Sequence, residues 1–412
     1  MVKEGYKKTK YGLIPDSWDF LQLKDIAKVN MGSSPPSSTY NEDGDGLPFF
    51  QGNAEFGSLY PEENQWCTDP QKVADKDNIL ISVRAPVGDI NIAPYRCCIG
   101  RGLAAIEGEE TSNKFIYYCL KQFNPKLQSY SQGSTFSSIN KKVLETFFVN
   151  YPPLPEQKKI ASILSSVDKS IEKTDEVIEE TKELKKGLMQ ELLTKGIGHS
   201  EFKDTILGKI PAKWDIKKLR DICNKVTDGT HDTPKEVNDG YPFITAKNIT
   251  NGKLDFEDCG YVSEKDHKKI ISRSKPEKGD ILFTHIGTIG QTVEVNVDFE
   301  FSIKNVALFK PNNELIKSKY FKYSLQSNIV QGFIKRILQG GVQQYLGLTT
   351  LRGFNIPVPP LEEQKKIASI LSSVDAKLKK EEEYKAKLER LKKGLMQKLL
   401  TGEIRVNTDM EV

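Results

Sequence analysis

EQKKIASILSSVD occupies residues 156–168 and, without a substitution, residues 363–375. The same offset of 207 brings LKKGLMQ at Leu184–Gln190 back at Leu391–Gln397, and Leu192-Leu193-Thr194 back as Leu399-Leu400-Thr401. Just upstream, YPPLPEQKK (151–159) matches VPPLEEQKK (358–366). At an offset of 196, GLIPDSWD (12–19) matches GKIPAKWD (208–215), and LKDI (23–26) matches LRDI (219–222). Between these anchors the likeness fades: LPFFQGN (47–53) faces YPFITAKN (241–248), and NILISVRAPVG (78–88) faces DILFTHIGTIG (280–290). Chance does not produce such a pattern. The chain is a tandem duplication, each unit a divergent module of roughly 150 residues followed by a shared helix.

The shared segment reads as a coiled coil. Pro152-Pro153 and Pro359-Pro360 stop the preceding element and fix an extended approach. Ile160, Leu164, Val167, Ile171, Thr174, Ile178, Thr181, Lys185, Leu188 and Leu192 then follow 4-3-4-3 spacing. Ile367, Leu371, Val374, Leu378, Glu381, Lys385, Leu388, Lys392, Leu395 and Leu399 repeat the template. A helix of about 40 residues is about 60 Å long and cannot bury its seam alone. Two related by a pseudo-two-fold axis would pack antiparallel. A plain coil needs only its seam letters, yet Lys158, Lys159, Ser162, Ser165 and Ser166 return as Lys365, Lys366, Ser369, Ser372 and Ser373. Repeated surface letters point to one kind of partner bound twice.

The divergent modules read as α/β (α+β). β-rich runs at Ile79–Val83, Ile281–Thr284 and Val306–Phe309 are bounded by turn residues, and helical stretches follow at Asn113–Gln122 and Ser318–Ser327. The predicted organisation is a first module at 1–152, a helix at 153–198, a second module at 199–358, a helix at 359–404 and a tail at 405–412.

Composition narrows the function. With 37% hydrophobic and 28% charged residues, the chain has a globular profile. No apolar run is long enough for a membrane span, and no leader is expected from MVKEGYKKTKYG. The six cysteines (67, 97, 98, 119, 223 and 259) show no metal-ligand spacing, which suits reduced thiols in the cytoplasm. Net charge is +4, distributed as −2 over 1–154, −1 over 155–198, +5 over 199–357 and +2 over 358–412. Phosphate contact is therefore expected to be strongest in the second module.

Catalytic signatures are absent. The chain has no phosphate-binding G-x-x-x-x-G-K-[ST] loop and no His-Glu-x-x-His. Gly287-Thr288-Ile289-Gly290 reads as a tight turn, and Asn150-Tyr151-Pro152-Pro153 has the wrong order for an adenine methyltransferase loop. No catalytic residue, metal site or cofactor is expected in this chain.

Two divergent modules, paired I-P-x-x-W-D segments (Ile14–Asp19, Ile210–Asp215), the Asn78–Gly88 and Asp280–Gly290 motifs and the duplicated helices together resemble the specificity subunits of type I restriction–modification systems. The resemblance covers essentially the whole chain. It implies a non-catalytic subunit whose modules are target-recognition domains, each reading one half of a bipartite, non-palindromic site in double-stranded DNA. It implies helices that set the spacing between half-sites, which lie about 34–36 Å apart when read from one face of the duplex. It further implies two docked methyltransferase subunits carrying S-adenosylmethionine, and a translocating ATPase/nuclease subunit in the restriction complex. The competing reading is a coiled-coil scaffold whose modules bind protein; sequence-specific retention on DNA separates the two.

Base and phosphate contacts call for Arg, Lys, Asn, Gln, Ser, Thr or His on loops. In the first module the candidates are Gln51, Asn53, Ser82, Arg84, Arg101, Ser134, Thr135, Ser137 and Ser138. In the second they are Thr230, His231, Lys247, Asn248, Thr284, His285, Thr288, Lys304, Asn305, Gln343, Gln344 and Tyr345.

Overall fold

The computed structural model describes residues 4–129, 138–250, 252–339 and 345–408. It divides into two units: residues 1–175 with 383–412, and residues 176–382. The long helices run Leu154–Leu192 and Leu361–Leu399, 39 residues each, so the division falls inside each helix rather than at its ends. Each unit thus holds one module and half of each helix.

In the first unit a four-stranded antiparallel sheet has the order Ile90–Ile92, Ile79–Ser82, Leu103–Gly108, Ala27–Met31. The second unit repeats that frame as Thr292–Glu294, Ile281–Thr284, Val306–Pro311, Cys223–Asp228. The predicted strands at Ile79, Ile281 and Val306 are all inner strands of these sheets. They lack hydrophobic alternation because both faces are covered. Ile79 and Ile81 join the core shared with the helices while Leu80 faces a separate cluster, and Ile281 and Phe283 are likewise opposed to Leu282.

A second sheet in each module contains a parallel pair: Leu47–Phe50 with Cys97–Ile99, and Glu236–Ile244 with Ser302–Ile303. The predicted helices are found at Asn113–Ser129, longer than expected, and at Ser318–Gln326. They press Phe115, Tyr118 and Leu120, or Tyr320, Phe321 and Tyr323, into the core. In the first unit that core includes Ile160 and Leu164 of one helix and Met396 and Leu399 of the other; Leu192, Ile367 and Leu371 serve the second. Full burial of each such side chain contributes about 1.5–3 kcal/mol.

Three lysines of the helical seam find carboxylate partners within their own unit. In the first, Lys392 pairs with Asp168 and Lys385 with Asp175 at 2.5 Å; in the second, Lys185 pairs with Asp375 at 2.7 Å. The two pairs of the first unit fix an antiparallel register for its helix halves. The modules close the pairs from the side: Tyr118 donates to Asp168 and Tyr323 to Asp375, both at 2.6 Å. Although burial opposes ionisation, bonds from Lys185 and Tyr323 hold the Asp375 carboxyl below its ordinary range.

Residues after each helix fold back onto a module. Asn150 Nδ2 donates to Leu400 O at 2.9 Å, and Arg405 Nη2 to Glu156 Oε2 at 2.8 Å, so the predicted tail begins as part of the first unit. After the first helix, Ile197 N and His199 Nε2 reach Glu363 Oε1 at 2.9 and 2.8 Å.

Candidate nucleic-acid interface

In both modules the loops carrying the predicted contact residues are pinned together by a close backbone approach. Gly32 follows the strand Ala27–Met31 and lies against Gly100, with Gly32 N donating to Leu103 O at 2.9 Å. Gly229 follows Cys223–Asp228 and lies against Ile303, with Gly229 N donating to Val306 O at 2.9 Å. A Cβ at either glycine would collide with backbone, so these positions need hydrogen as the side chain. The next residues, Ser33 and Thr230, donate through N to Ile99 O and Ile303 O at 3.1 and 3.0 Å.

This frame collects part of the predicted set in the first module. Gln51 Nε2 donates to Ser34 Oγ at 2.8 Å, while Arg101 N approaches the same hydroxyl at 3.3 Å. The exposed Arg101 and Arg84 side chains have no carboxylate partner among the described residues. Arg84 is joined to exposed Ser138 by an isolated antiparallel bridge. Asn53 Nδ2 donates to Asp89 Oδ2 at 2.6 Å. Ser134, Thr135 and Ser137 lie outside the described residues.

In the second module Thr230 bridges Lys304, and His231 Nδ1 lies 2.8 Å from Asn305 Oδ1. Lys304 Nζ donates to Thr233 Oγ1 at 2.5 Å. Exposed Tyr345 bridges Ile286, matching the Arg84–Ser138 bridge of the first module, and Thr288 is exposed on the adjoining turn. Lys247 is exposed on its own short 3-10 turn. Gln343 and Gln344 lie outside the described residues.

Four candidates are internal, which corrects the expectation that they face a groove. Ser82 and Thr284 are buried and close equivalent turns, accepting from Asp89 N at 2.8 Å and Gln291 N at 2.9 Å. Buried Asn248 accepts from Thr245 N at 3.0 Å and donates to Asp258 O at 2.8 Å. Buried His285 places Nδ1 2.9 Å from Leu346 O, and burial lowers its pKa, so it is held as a neutral ring. Polar side chains that satisfy local backbone are legible as polar but not as inward-facing. Sequence reasoning missed Ser34 and the two glycines, although M-G-S at 31–33 and D-G-T at 228–230 follow equivalent strands.

The repeated helix letters divide in two. Glu156, Gln157, Gln364, Asp168 and Asp375 are used inside their units: Trp18 Nε1 donates to Glu156 at 2.9 Å, and Thr111 Oγ1 to Gln157 at 2.6 Å. Of the predicted partner-binding set, Lys158, Ser166, Lys365, Lys366, Ser369 and Ser373 are exposed, whereas Lys159, Ser162, Ser165 and Ser372 are half-buried. Ser165 accepts from Tyr118 Oη at 3.3 Å, whereas Ser372 donates to Ala368 O of its own helix. Leu184 and Leu391 are 52% and 51% exposed, and a Cβ on Gly187 or Gly394 would meet open space. In each long helix an outward leucine thus lies three residues before a glycine of the last two turns.

Among the described residues no group of three His, Cys, Asp or Glu side chains could hold a metal ion, and no helix is long and apolar enough to cross a membrane.

The family model for the type I restriction modification DNA specificity domain matches residues 15–183 and again 211–390. The MjaVIII type I restriction enzyme specificity subunit of Methanocaldococcus jannaschii is 26% identical over 98% of this chain and 97% of its own length. A putative MjaX specificity subunit from the same organism is 46% identical over 195 residues, 46% of each chain. The EcoBI specificity subunit of Escherichia coli is 23% identical over 95% of this chain and 87% of its own. The fold matches the crystal structure of a type I restriction–modification S subunit from M. genitalium with a TM-score of 0.64 at 20% identity, covering 93% of this chain and 96% of that one. A second match, from a structural study of complex assembly and conformational transition of the type I R-M system, has a TM-score of 0.57 at 17% identity and covers 95% and 99%. The chain belongs to the type I restriction modification DNA specificity family.

Proposed function

We propose that each module reads one half of a bipartite site in double-stranded DNA and that the chain itself performs no chemistry. One observation carries this reading. Two modules share a sheet frame and a glycine-pinned loop edge, yet display different polar groups there: Ser34, Gln51 and Arg101 against His231, Lys304 and Asn305. An invariant frame with a changed edge is what reading two unlike sequences requires.

The repeated outward letters of the helices fit a partner held twice. Leu184 and Gly187, and again Leu391 and Gly394, suit close packing of a partner helix, since glycine lets backbones approach. Two methyltransferase subunits carrying S-adenosylmethionine are the proposed occupants, with a translocating ATPase/nuclease subunit joining for restriction in the cytoplasm.

Selection from a random duplex library by the chain assembled with its methyltransferase subunit tests the reading. It predicts enrichment of two unlike sequence blocks at one fixed separation. An assembled complex that enriches no sequence would contradict it.

A further inference from the structure

We propose that His231 and Asn305 form one reading unit in the second module, in which the charge on the imidazole decides whether the Asn305 amide offers a base edge a hydrogen-bond donor or an acceptor. The inference rests on the DNA-reading role proposed above and names the group that sets specificity there.

The geometry constrains both the ring and the amide. Asn305 has φ of +54°, a left-handed backbone that asparagine tolerates, and its N donates to Thr230 O at 3.1 Å. Lys304 N donates to Ile244 O at 2.8 Å, so the turn is fastened on both sides. His231 Nε2 lies 3.0 Å from Asp228 Oδ2, and Nδ1 lies 2.8 Å from Asn305 Oδ1. When the ring carries a proton on each nitrogen, both N–H groups meet an oxygen acceptor, one on Asp228 and one on Asn305. The Asn305 amide nitrogen, turned away from the ring, has no partner among the described residues. In this state the outward atom is a donor.

Loss of one proton to solvent reverses the pairing. The Asp228 carboxylate only accepts, so the remaining proton stays on Nε2. Nδ1 then becomes an acceptor and is matched by Asn305 Nδ2–H after the amide turns over about its Cβ–Cγ bond. The carbonyl oxygen now faces out. No other bond changes.

The surrounding charges are accounted for element by element. Asp228, on the strand Cys223–Asp228, is also bound by Arg273 of the helix Glu264–Ser274. His285, at the end of Ile281–Thr284, is buried, and burial lowers its pKa. Lys304 is held by Thr233, and Asp232 pairs with Lys269 at 3.5 Å. The first module supplies an internal control: Ser34 stands in the place of His231, and Gln51 Nε2 donates to its hydroxyl, which does not titrate.

The test is library selection with the assembled complex at about pH 5.5 and about pH 8.5, on either side of the range in which imidazoles titrate. The expected result is one base position in one half of the motif at which preference moves by roughly tenfold, from a base offering acceptors, such as guanine, at low pH to one offering a donor at high pH. The other half stays unchanged, and His231→Ala abolishes the shift while retaining the first-half preference. Identical preferences at both pH values in both halves, or a shift that survives in His231→Ala, overturn the proposal alone. Loss of all enrichment at both pH values overturns the DNA-reading role with it.

Discussion

The indole Nε1 of Trp18 donates to the carboxylate of Glu156 at 2.9 Å across 138 residues of sequence. Glu156 is buried and is also gripped by Arg405, through Nε at 2.6 Å and Nη2 at 2.8 Å. In the second unit Trp214 donates to Glu363 at 3.0 Å, with His199 and Ile197 N in the place of the arginine. One carboxylate at the start of each long helix therefore ties together a module, a helix and the segment that folds back. Removing Arg405 leaves a buried carboxylate with one neutral donor. Arg405→Ala is expected to destabilise the first unit by about 2–3 kcal/mol, read by denaturant unfolding.

Asp375 gives an acid-range prediction with a definite sign. Its pKa is depressed in the folded chain, so the stability it contributes is present above the unfolded value of about 3.9 and is lost as pH falls through the folded value. Lys185→Met removes a 2.7 Å ion pair from this carboxylate and raises its pKa. The slope of stability against pH below about pH 4 should flatten in this variant. An unchanged acid limb would show that the pair contributes nothing.

Lys121 behaves in the opposite way. Burial and the neighbouring Lys392 lower its pKa to about 8, so at neutral pH the folded chain holds a charge at a cost. Above about pH 8 the folded state sheds that proton before the unfolded state does, and this contribution to stability rises with pH. Lys121→Met should stabilise the first unit at pH 7 by about 1–2 kcal/mol and remove that rise, as checked by thermal unfolding across pH.

The glycines in the last two turns of the long helices separate folding from docking. Neither Gly187 nor Gly394 has a neighbour that a Cβ would touch. Gly187→Leu should therefore stabilise the isolated chain by about 0.5–1 kcal/mol through helix propensity. The same change fills the proposed docking face. Native mass spectrometry should count one methyltransferase subunit instead of two, and none when Gly394→Leu is added.

The sequence and structure agree where repetition or packing leaves a periodic record. The offset of 207 marked both helices, and unbroken apolar runs at Ile79 and Ile281 marked the central strands because both of their faces are covered. The candidate contact residues were only partly legible. Gln51 and Arg101 meet at the Ser34 hydroxyl and His231 meets Asn305, but Ser82, Asn248, Thr284 and His285 turn inward to satisfy nearby backbone and side-chain groups. A polar residue at a turn has the same letter whichever way it points. Glu156 and Gln157 illustrate the converse, since charged and amide letters of a surface-like helix proved to be buried anchors.

The central claim is most directly tested by expressing the chain with its methyltransferase subunit in a host free of DNA methylation and mapping modified adenines across the genome. The account predicts a single split, non-palindromic motif with one methylated adenine in each half. Absence of new modification from a complex shown to be assembled and supplied with S-adenosylmethionine would contradict it.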